Sequence, residues 1–504
     1  MNVLSIDNTG FTGHSRFIWW YCAVLFCAGI LYTAGCAPGL LWQDSGLIQY
    51  RVLHGDIRGI FGLALSHPLF YLIASAVKTV PLGNLFWRIN MTAAFFACIT
   101  VANLYLFMRL FLGRHLPAVI TALSLGLAHS FWRHSCIAET YTLWSALFTT
   151  ELLFLLIYIR SHKRYWLYAL ALVNGLALSV HMLAVISLLC YVIYIICITG
   201  KHGLKVRHIL FIVSLWVLGA LPYEILFIQQ WISTGDFSST LCSALFGDRW
   251  QDDVLNMSIS GKIIKENILF LILNFPTPNI LLFFAGIYGL FRVSMAKSLR
   301  RIIMALAVLY LLFAFRYTVA DRYAFFIPFY IIFALLMGVG VYIIQNRFTG
   351  ILVIVLSIIP IFIYLNAPVW ARQMNFSLGT RNDIAFRNDY DYFLKPWKTG
   401  QNSAEQFART ALDQVSANAL IYADMTTVTP LLITQQINKY RIDVSLISEL
   451  LSSPDAPVLN ADTVAGLLQE RDIYVVSYKK GNCPGFIRNN YRFVRSGILW
   501  QVCE

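Results

Sequence analysis

The chain has 504 residues, of which 58% are hydrophobic and 12% charged, and it carries a net charge of +13. A water-soluble domain carries roughly 25% charged residues, so this composition excludes an ordinary soluble fold and points to lipid, where long apolar runs become helices because the backbone must satisfy itself. The charge excludes less than it seems to. From Ala367 onward there are 14 Lys and Arg against 13 Asp and Glu, so the basic surplus lies in loops between apolar runs, which is a topology signal rather than a nucleic-acid one.

A bilayer span needs ~20 apolar residues. In chain order such runs occupy 17–36, 87–108, 116–131, 140–159, 165–181, 183–199, 208–230, 267–291, 302–319, 323–344 and 348–366. Those at 116–131, 165–181 and 183–199 are short for the purpose. The first reads as an uncleaved signal anchor, because Thr33 stands where a lipoprotein cleavage site needs an aliphatic residue before Ala34-Gly35-Cys36. With the N-terminus cytoplasmic, the inner segments hold Arg16, Arg109, Arg114, Arg160, Lys163, Arg164, Lys201, Lys205, Arg207, Arg292, Lys297, Arg300, Arg301 and Arg347 against one acid, Asp7. An odd number of spans then puts the tail outside.

The expected architecture is an all-α polytopic membrane domain of about eleven transmembrane helices over 1–366, with outer loops at 37–86 and 231–266. A small soluble α/β domain follows over 367–504 on the outer side. A bacterial inner membrane, with a periplasmic tail, is the expected home. In the first outer loop, 69–80 is too short to span and reads as a helix lying in the interface. In the tail, Ser403–Val415 is amphipathic, Ala419–Ala423 and Asp443–Ile447 read as strands around a helix at Val428–Ile437, and Ile473–Tyr478 reads as a further strand. No Gly-rich turn follows the first strand, so it does not read as a nucleotide site. The ten cysteines include no CxxC pair, and Cys483 and Cys503 could pair in an oxidising compartment.

The residues that could carry chemistry gather on the outer side. Asp44 follows the first span within Trp42-Gln43-Asp44-Ser45-Gly46. It is either a solvated loop acid or, held against apolar walls, a tuned base. His67-Pro68 is either a helix start or a donor to an anionic group. Trp132, Arg133, Glu139 and Tyr141 lie in a tight turn between two spans, where a carboxylate is costly unless paired or functional. His181 closes an apolar run after Asn174-Gly175-Leu176. Asp321-Arg322-Tyr323 forms the last outer turn, and an arginine fork there suits phosphate, the alternative being a side chain reaching lipid head groups. Asn90-Met91-Thr92, Asn256-Met257-Ser258 and Asn375-Phe376-Ser377 match glycosylation triplets, which are common by chance.

In their order along the chain these pieces resemble the GT-C type of integral-membrane glycosyltransferases, and within it the group that contains the transmembrane protein O-mannosyltransferase of plexin-type domains. The matching residues are Asp44-Ser45-Gly46, His67-Pro68 with Tyr71, Arg88-Ile89-Asn90, Trp132 with Glu139-Thr140-Tyr141, Gly175-Leu176 with His181, and Tyr323 with Pro328. Asn418-Ala419, Asp424 and Arg441-Ile442-Asp443-Val444 continue the series in the tail. Leu47 replaces the family's acid after the glycine, and Pro68-Leu69-Phe70-Tyr71 replaces its Pro-Pro-Gly-Tyr-Pro type of run.

The resemblance implies inverting transfer of a sugar from a polyprenyl-phosphate carrier to a protein or glycolipid hydroxyl. It implies Asp44 as catalytic base and Glu139 as its support for the acceptor or a metal. Arg322, Arg88 and His181 become candidates for the carrier phosphate, and His67, Trp132, Tyr141 and Tyr323 for the acceptor and lipid site. Whether a divalent metal takes part stays open. A transporter or flippase of a lipid-linked or anionic solute is the alternative from another class, with Glu151 the one clear mid-membrane acid. A non-catalytic scaffold derived from such an enzyme is a third reading.

Overall fold

The computed structural model describes residues 14–200, 203–319, 321–380 and 383–504. Asp7 and Lys201, used in the charge count, lie outside them, as does the side chain of Arg16. Each of the eleven apolar runs folds as helix. Seven are long and apolar enough to cross a bilayer: Ile18–Gly35, Leu85–Leu112, Tyr141–Ser161, Val206–Thr234, Lys297–Arg316, Ala324–Ile344 and Arg347–Gln373. The run at 267–291 breaks into Gly261–Asn274 and Pro278–Arg292, bent by 111°, giving up to eight spans among the described residues in place of the eleven expected. Pro276 and Pro278 sit at the break, where each removes a backbone donor.

The three runs that were short in sequence remain short helices, His115–Gly126, Tyr165–Leu178 and Ala184–Thr199. At 1.5 Å per residue they reach about 18–24 Å, less than the hydrocarbon core of ~30 Å. Tyr165–Leu178 is instead pressed against Val206–Thr234. A Cβ on Gly175 would meet the Trp216 carbonyl oxygen at 2.2 Å, and one on Gly219 would meet that of Leu172 at 2.3 Å. Small residues let membrane helices approach this closely and gain dispersion contact where lipid offers no hydrophobic drive. Large apolar side chains such as Phe95, Ile193, Phe211 and Phe284 are exposed on the helical surface. With the span lengths, this marks an integral membrane protein.

Glu151 is fully buried within its span. Its Oε1 accepts from Asn174 Nδ2 at 3.1 Å, which also donates to Ser187 Oγ at 3.0 Å, while Trp216 Nε1 donates to Asn174 Oδ1. This polar knot joins four helices in the packed interior.

The expected interfacial stretch forms helix Pro68–Val77, preceded by helix Gln43–His54. The last span runs on to Gln373. The tail carries a five-stranded sheet of β1 (Leu420–Tyr422), β2 (Ser445–Ile447), β3 (Ile473–Val475), β4 (Arg492–Ser496) and β5 (Leu499–Cys503), in the order β2-β1-β3-β5-β4. The first three strands are parallel, and β4 and β5 add an antiparallel hairpin. Gly497-Ile498 turns that hairpin with Gly497 at φ 57°, a tight turn not anticipated from the sequence. Cys483 and Cys503 are both free thiols.

The tail is not a detached appendage. Trp42 is buried in one apolar cluster with Phe407, Ala411, Ile421 and Leu431 of the tail, and its Nε1 donates to Ser403 Oγ at 3.0 Å. A Cβ on Gly46 would meet the Leu41 carbonyl oxygen at 2.5 Å and Thr429 Oγ1 at 2.6 Å. The glycine of Asp44-Ser45-Gly46 is therefore the residue that lets the first outer helix lie between its own loop and tail helix Val428–Asn438.

Candidate active site

Two distant turns must meet before any site exists, and Asn90 brings them together. It stands near the outer start of helix Leu85–Leu112 and is fully buried. Its Nδ2 donates to the carbonyls of Ala37 (3.0 Å) and Gly39 (3.1 Å), and its Oδ1 accepts from Gln49 Nε2 (3.0 Å) and the Ala138 N–H (3.1 Å). Gln49 in turn donates to Gly39 O and accepts from the Leu41 N–H, and the Ala37 N–H donates to Cys136 O. All four hydrogen-bonding positions of Asn90 are used. This clamp joins the loop after the first span, helix Gln43–His54 and the turn before helix Tyr141–Ser161, so Asp44 and Glu139 share one site. It also removes Asn90 as a glycan acceptor.

Asp321 from the last outer turn completes a group of three carboxylates. Asp44 is open to solvent, yet protein crowds it closely enough that desolvation raises its pKa, against the pull of Arg133. Burial, then Asp44 and Asp321, hold Glu139 well above the usual carboxylate range. Burial and Asp44 push Asp321 up to about 7. Like charges that share a recess cannot all ionise together. Among the described residues no group of three His, Cys, Asp or Glu is arranged to hold a metal ion, and a protonated Glu139 is a hydrogen-bond donor rather than a ligand.

Arg133 is the cation facing this group. It lies in the short helix His129–Ser135, is buried, donates to the Tyr323 phenol, and sits over the rings of Phe393 (5.0 Å), Tyr323 (5.4 Å) and Tyr392 (5.5 Å). Phe393 and Tyr392 come from tail helix Asp389–Leu394. The same segment delivers Lys398, which is fully buried. Its Nζ donates to the carbonyls of Tyr392 (2.8 Å) and Lys395, and its backbone N–H donates to Gly35 O at 2.6 Å. Burial and Arg133 pull its pKa well below the usual lysine range.

The expected residues separate into two sets. Asp44, Glu139, Tyr141 and Tyr323 come together, and His181 joins them through Tyr141, its ring centroid 5.3 Å away, with His67 5.2 Å beyond it. Trp132 packs against Trp397 of the tail at 5.3 Å and walls the site from beneath. The structure does not bring Arg322 to the carboxylates. Its guanidinium binds Glu266 (2.8 Å), Asn267 Oδ1 (2.8 Å) and backbone carbonyls, and lies over Phe270. Arg88 is also elsewhere, donating to the Val77 and Lys78 carbonyls at the end of helix Pro68–Val77. Both arginines are spent on protein partners.

Sequence reasoning passed over Asp321, the neighbour of Arg322, and gave Arg133 only the part of an ion-pair partner for Glu139. It named Asn90 without giving it a structural role and passed over Gln49 and Lys398. Arg133 and Asp321 each stood beside a residue that had been singled out. For Lys398 no local signal exists.

Residues 64–204 match the family model described as the protein O-mannosyl-transferase TMEM260 N-terminal domain. No curated protein matches the chain by sequence. By structure the chain is similar to the crystal structure of ArnT from Cupriavidus metallidurans bound to undecaprenyl phosphate, with TM-score 0.63 and 14% identity, covering 97% of this chain and 98% of that one. The fold is of the GT-C type.

Proposed function

We propose that the protein is a membrane glycosyltransferase that moves a sugar, with mannose the first candidate, from a polyprenyl-phosphate carrier to a hydroxyl of a protein or glycolipid on the outer face, taken to be the periplasm of a bacterial inner membrane. The observation that carries this reading is the recess in which Asp44, Glu139 and Asp321 face Arg133. The TMEM260 match and the fold shared with ArnT support it.

Asp44, accessible and made more basic by its surroundings, takes the proton of the acceptor hydroxyl as that oxygen attacks the anomeric carbon. The bond from that carbon to the carrier phosphate breaks on the opposite face, so the configuration inverts. Glu139, whose enclosure beside Asp44 and Asp321 favours the protonated form, donates a hydrogen bond to the acceptor. The departing phosphate gains negative charge, and Arg133, packed among rings with its fork fixed, is placed to stabilise it. Lys398 lies beside Arg133 without a carboxylate partner, and an arriving phosphate supplies the counter-charge it lacks.

The test is sugar transfer by the full chain in membranes. A positioned base contributes about 10²–10⁴-fold, so Asp44→Asn is expected to lose that much turnover while inserting normally. Wild-type turnover in a correctly inserted variant overturns the assignment.

A further inference from the structure

His67 and His181 lie at the edge of the recess, and the backbone fixes which nitrogen of each ring carries the proton. His67 precedes helix Pro68–Val77 with φ 51° and ψ 46°, a left-handed conformation that a non-glycine residue adopts only when its surroundings impose it. The imposition is visible: the Leu69 N–H donates to Ser179 O at 3.0 Å, and His67 Nδ1 lies 2.6 Å from the Val180 carbonyl oxygen. A carbonyl can only accept, so Nδ1 of His67 holds the proton and Nε2 presents a lone pair. His181 is oriented the other way. The Leu183 backbone N–H points at its Nδ1 at 3.2 Å. An N–H can only donate, so Nδ1 of His181 is the acceptor and the proton resides on Nε2.

The two rings are 5.2 Å apart and tilted by 35°. Both side chains are part-exposed, and among the described residues neither Nε2 has a protein partner. Burial pushes the His67 imidazole down to about 4 and His181 well below its ordinary value, so both rings are neutral near pH 7. From His181 the ring series continues through Tyr141 (5.3 Å) to His134 (5.2 Å from Tyr141) and Tyr323, the phenol held by Arg133. The unpaired acceptor and donor thus stand at one end of a wall that leads to the carboxylates.

We infer that His67 and His181 form a pair of fixed and opposite polarity that reads two neighbouring hydroxyls of the transferred sugar and so selects among donors. The inference rests on the transferase reading above and deepens it. A hydroxyl both donates and accepts, so one hydroxyl gives its proton to His67 Nε2 while its neighbour accepts from His181 Nε2–H. A phosphate oxygen near neutral pH only accepts and meets the His67 lone pair unfavourably. A protonated amine only donates and leaves His181 unanswered. The pair therefore suits an uncharged polyhydroxy ring and is a poor holder of the carrier phosphate, the role first expected for His181.

The experiment uses the full chain in lipid nanodiscs. Polyprenyl phosphates carrying mannose, glucose or galactose, and deoxy analogues lacking one hydroxyl, serve as donors. His67→Phe and His181→Phe keep the ring wall and remove both ring nitrogens, Nε2 together with the backbone-bonded Nδ1. Each variant is expected to lower kcat/KM for the preferred donor by about 10–100-fold. The deoxy donor lacking the read hydroxyl should be used equally poorly by wild type and variant, with binding of sugar-free undecaprenyl phosphate unchanged. Unaltered kcat/KM and donor preference overturn the inference, and so does a loss of undecaprenyl phosphate binding that matches the loss of transfer. Nitrogen-15 spectra of ring-labelled wild-type histidine supply a readout independent of variant folding. His67 protonated on Nδ1 and His181 on Nε2 at pH 7 support the pair; equal tautomers or imidazolium at either overturn it. If wild type transfers no sugar from any donor, the transferase reading fails and the pair falls with it. If wild type transfers sugar and the Phe variants match it, the pair alone fails.

Discussion

Arg133 and Arg322 are both buried arginines, and both stack on aromatic rings. They differ in what their charge meets. Arg322 is neutralised by Glu266 at 2.8 Å and saturated by Asn267 and carbonyls, so its charge is used up in joining helix Gly261–Asn274 to the last outer turn. Arg133 has a phenol and three aromatic faces, and the anions that feel it are Asp44, Glu139 and Asp321 across the recess. An arginine is available to a substrate when its immediate shell is aromatic and its nearest carboxylates stand at a distance, whatever its burial.

The largest expected effect breaks this comparison directly. Arg133→Met should cut turnover by about 10²–10³-fold, the usual cost of losing one fixed charge-stabilising group, whereas Arg322→Met should leave turnover per folded molecule near wild type. Equal losses in a transfer assay would mean the two arginines are not distinguished by their partners.

Removing position rather than charge comes next. Asn90→Ala leaves buried carbonyls, an N–H and an amide without partners and should cost about 3 kcal/mol or more of stability, seen as a lower thermal midpoint in detergent and a matching loss of transfer. Smaller again is Arg322→Met. It leaves part-exposed Glu266 with only the longer pair to Lys262 at 3.9 Å and should cost about 1 kcal/mol, and Arg322→Met with Glu266→Leu should recover most of it, because a matched apolar pair removes the weakly paired charge.

The smallest effect concerns pH. Asp321 ionises near 7 because it is buried and faces Asp44. Asp44, the proposed base, must be ionised to act and shares its recess with Asp321, so transfer should rise with pH as these coupled carboxylates ionise. Stability moves the opposite way in that window, since the folded chain binds a proton that the unfolded chain has already released near the ordinary value of 3.8. Asp321→Asn removes the like charge and should move the acid limb of the rate profile to lower pH by about one unit. An unmoved limb would detach Asp321 from the group.

Much of this was legible without coordinates. Apolar length and loop charge located the helices, and even the three short ones were marked as short. Asp44 and Glu139 were legible because an acid at a helix mouth in a lipid setting demands a reason. What stayed hidden depends on direction and distance. In Asp321-Arg322-Tyr323, three consecutive side chains leave a turn on different bearings, and sequence does not say which one enters the recess. The arginine was chosen for its chemistry, while the acid before it and the phenol after it point in. Lys398 is remote along the chain from every motif it joins, and Asn90 read as a glycan triplet because its partners, Gln49, Gly39 and Ala138, lie on other elements.

Trp42 lies two residues from Asp44, yet its indole belongs to the tail's apolar core, and Lys398 and Thr399 of the tail hold the carbonyls of Gly35 and Ala34 at the end of the first span. The soluble portion is thus not an exchangeable module. A graft from a relative would have to bring its own partner for Trp42, a side chain small enough to face Gly46, and a lysine at the right depth, while truncation at the membrane boundary would strip the recess of one wall. Changes in the tail and in the loop after the first span are bound to be accepted or rejected together, so the two surfaces should drift in concert rather than be exchanged by domain shuffling.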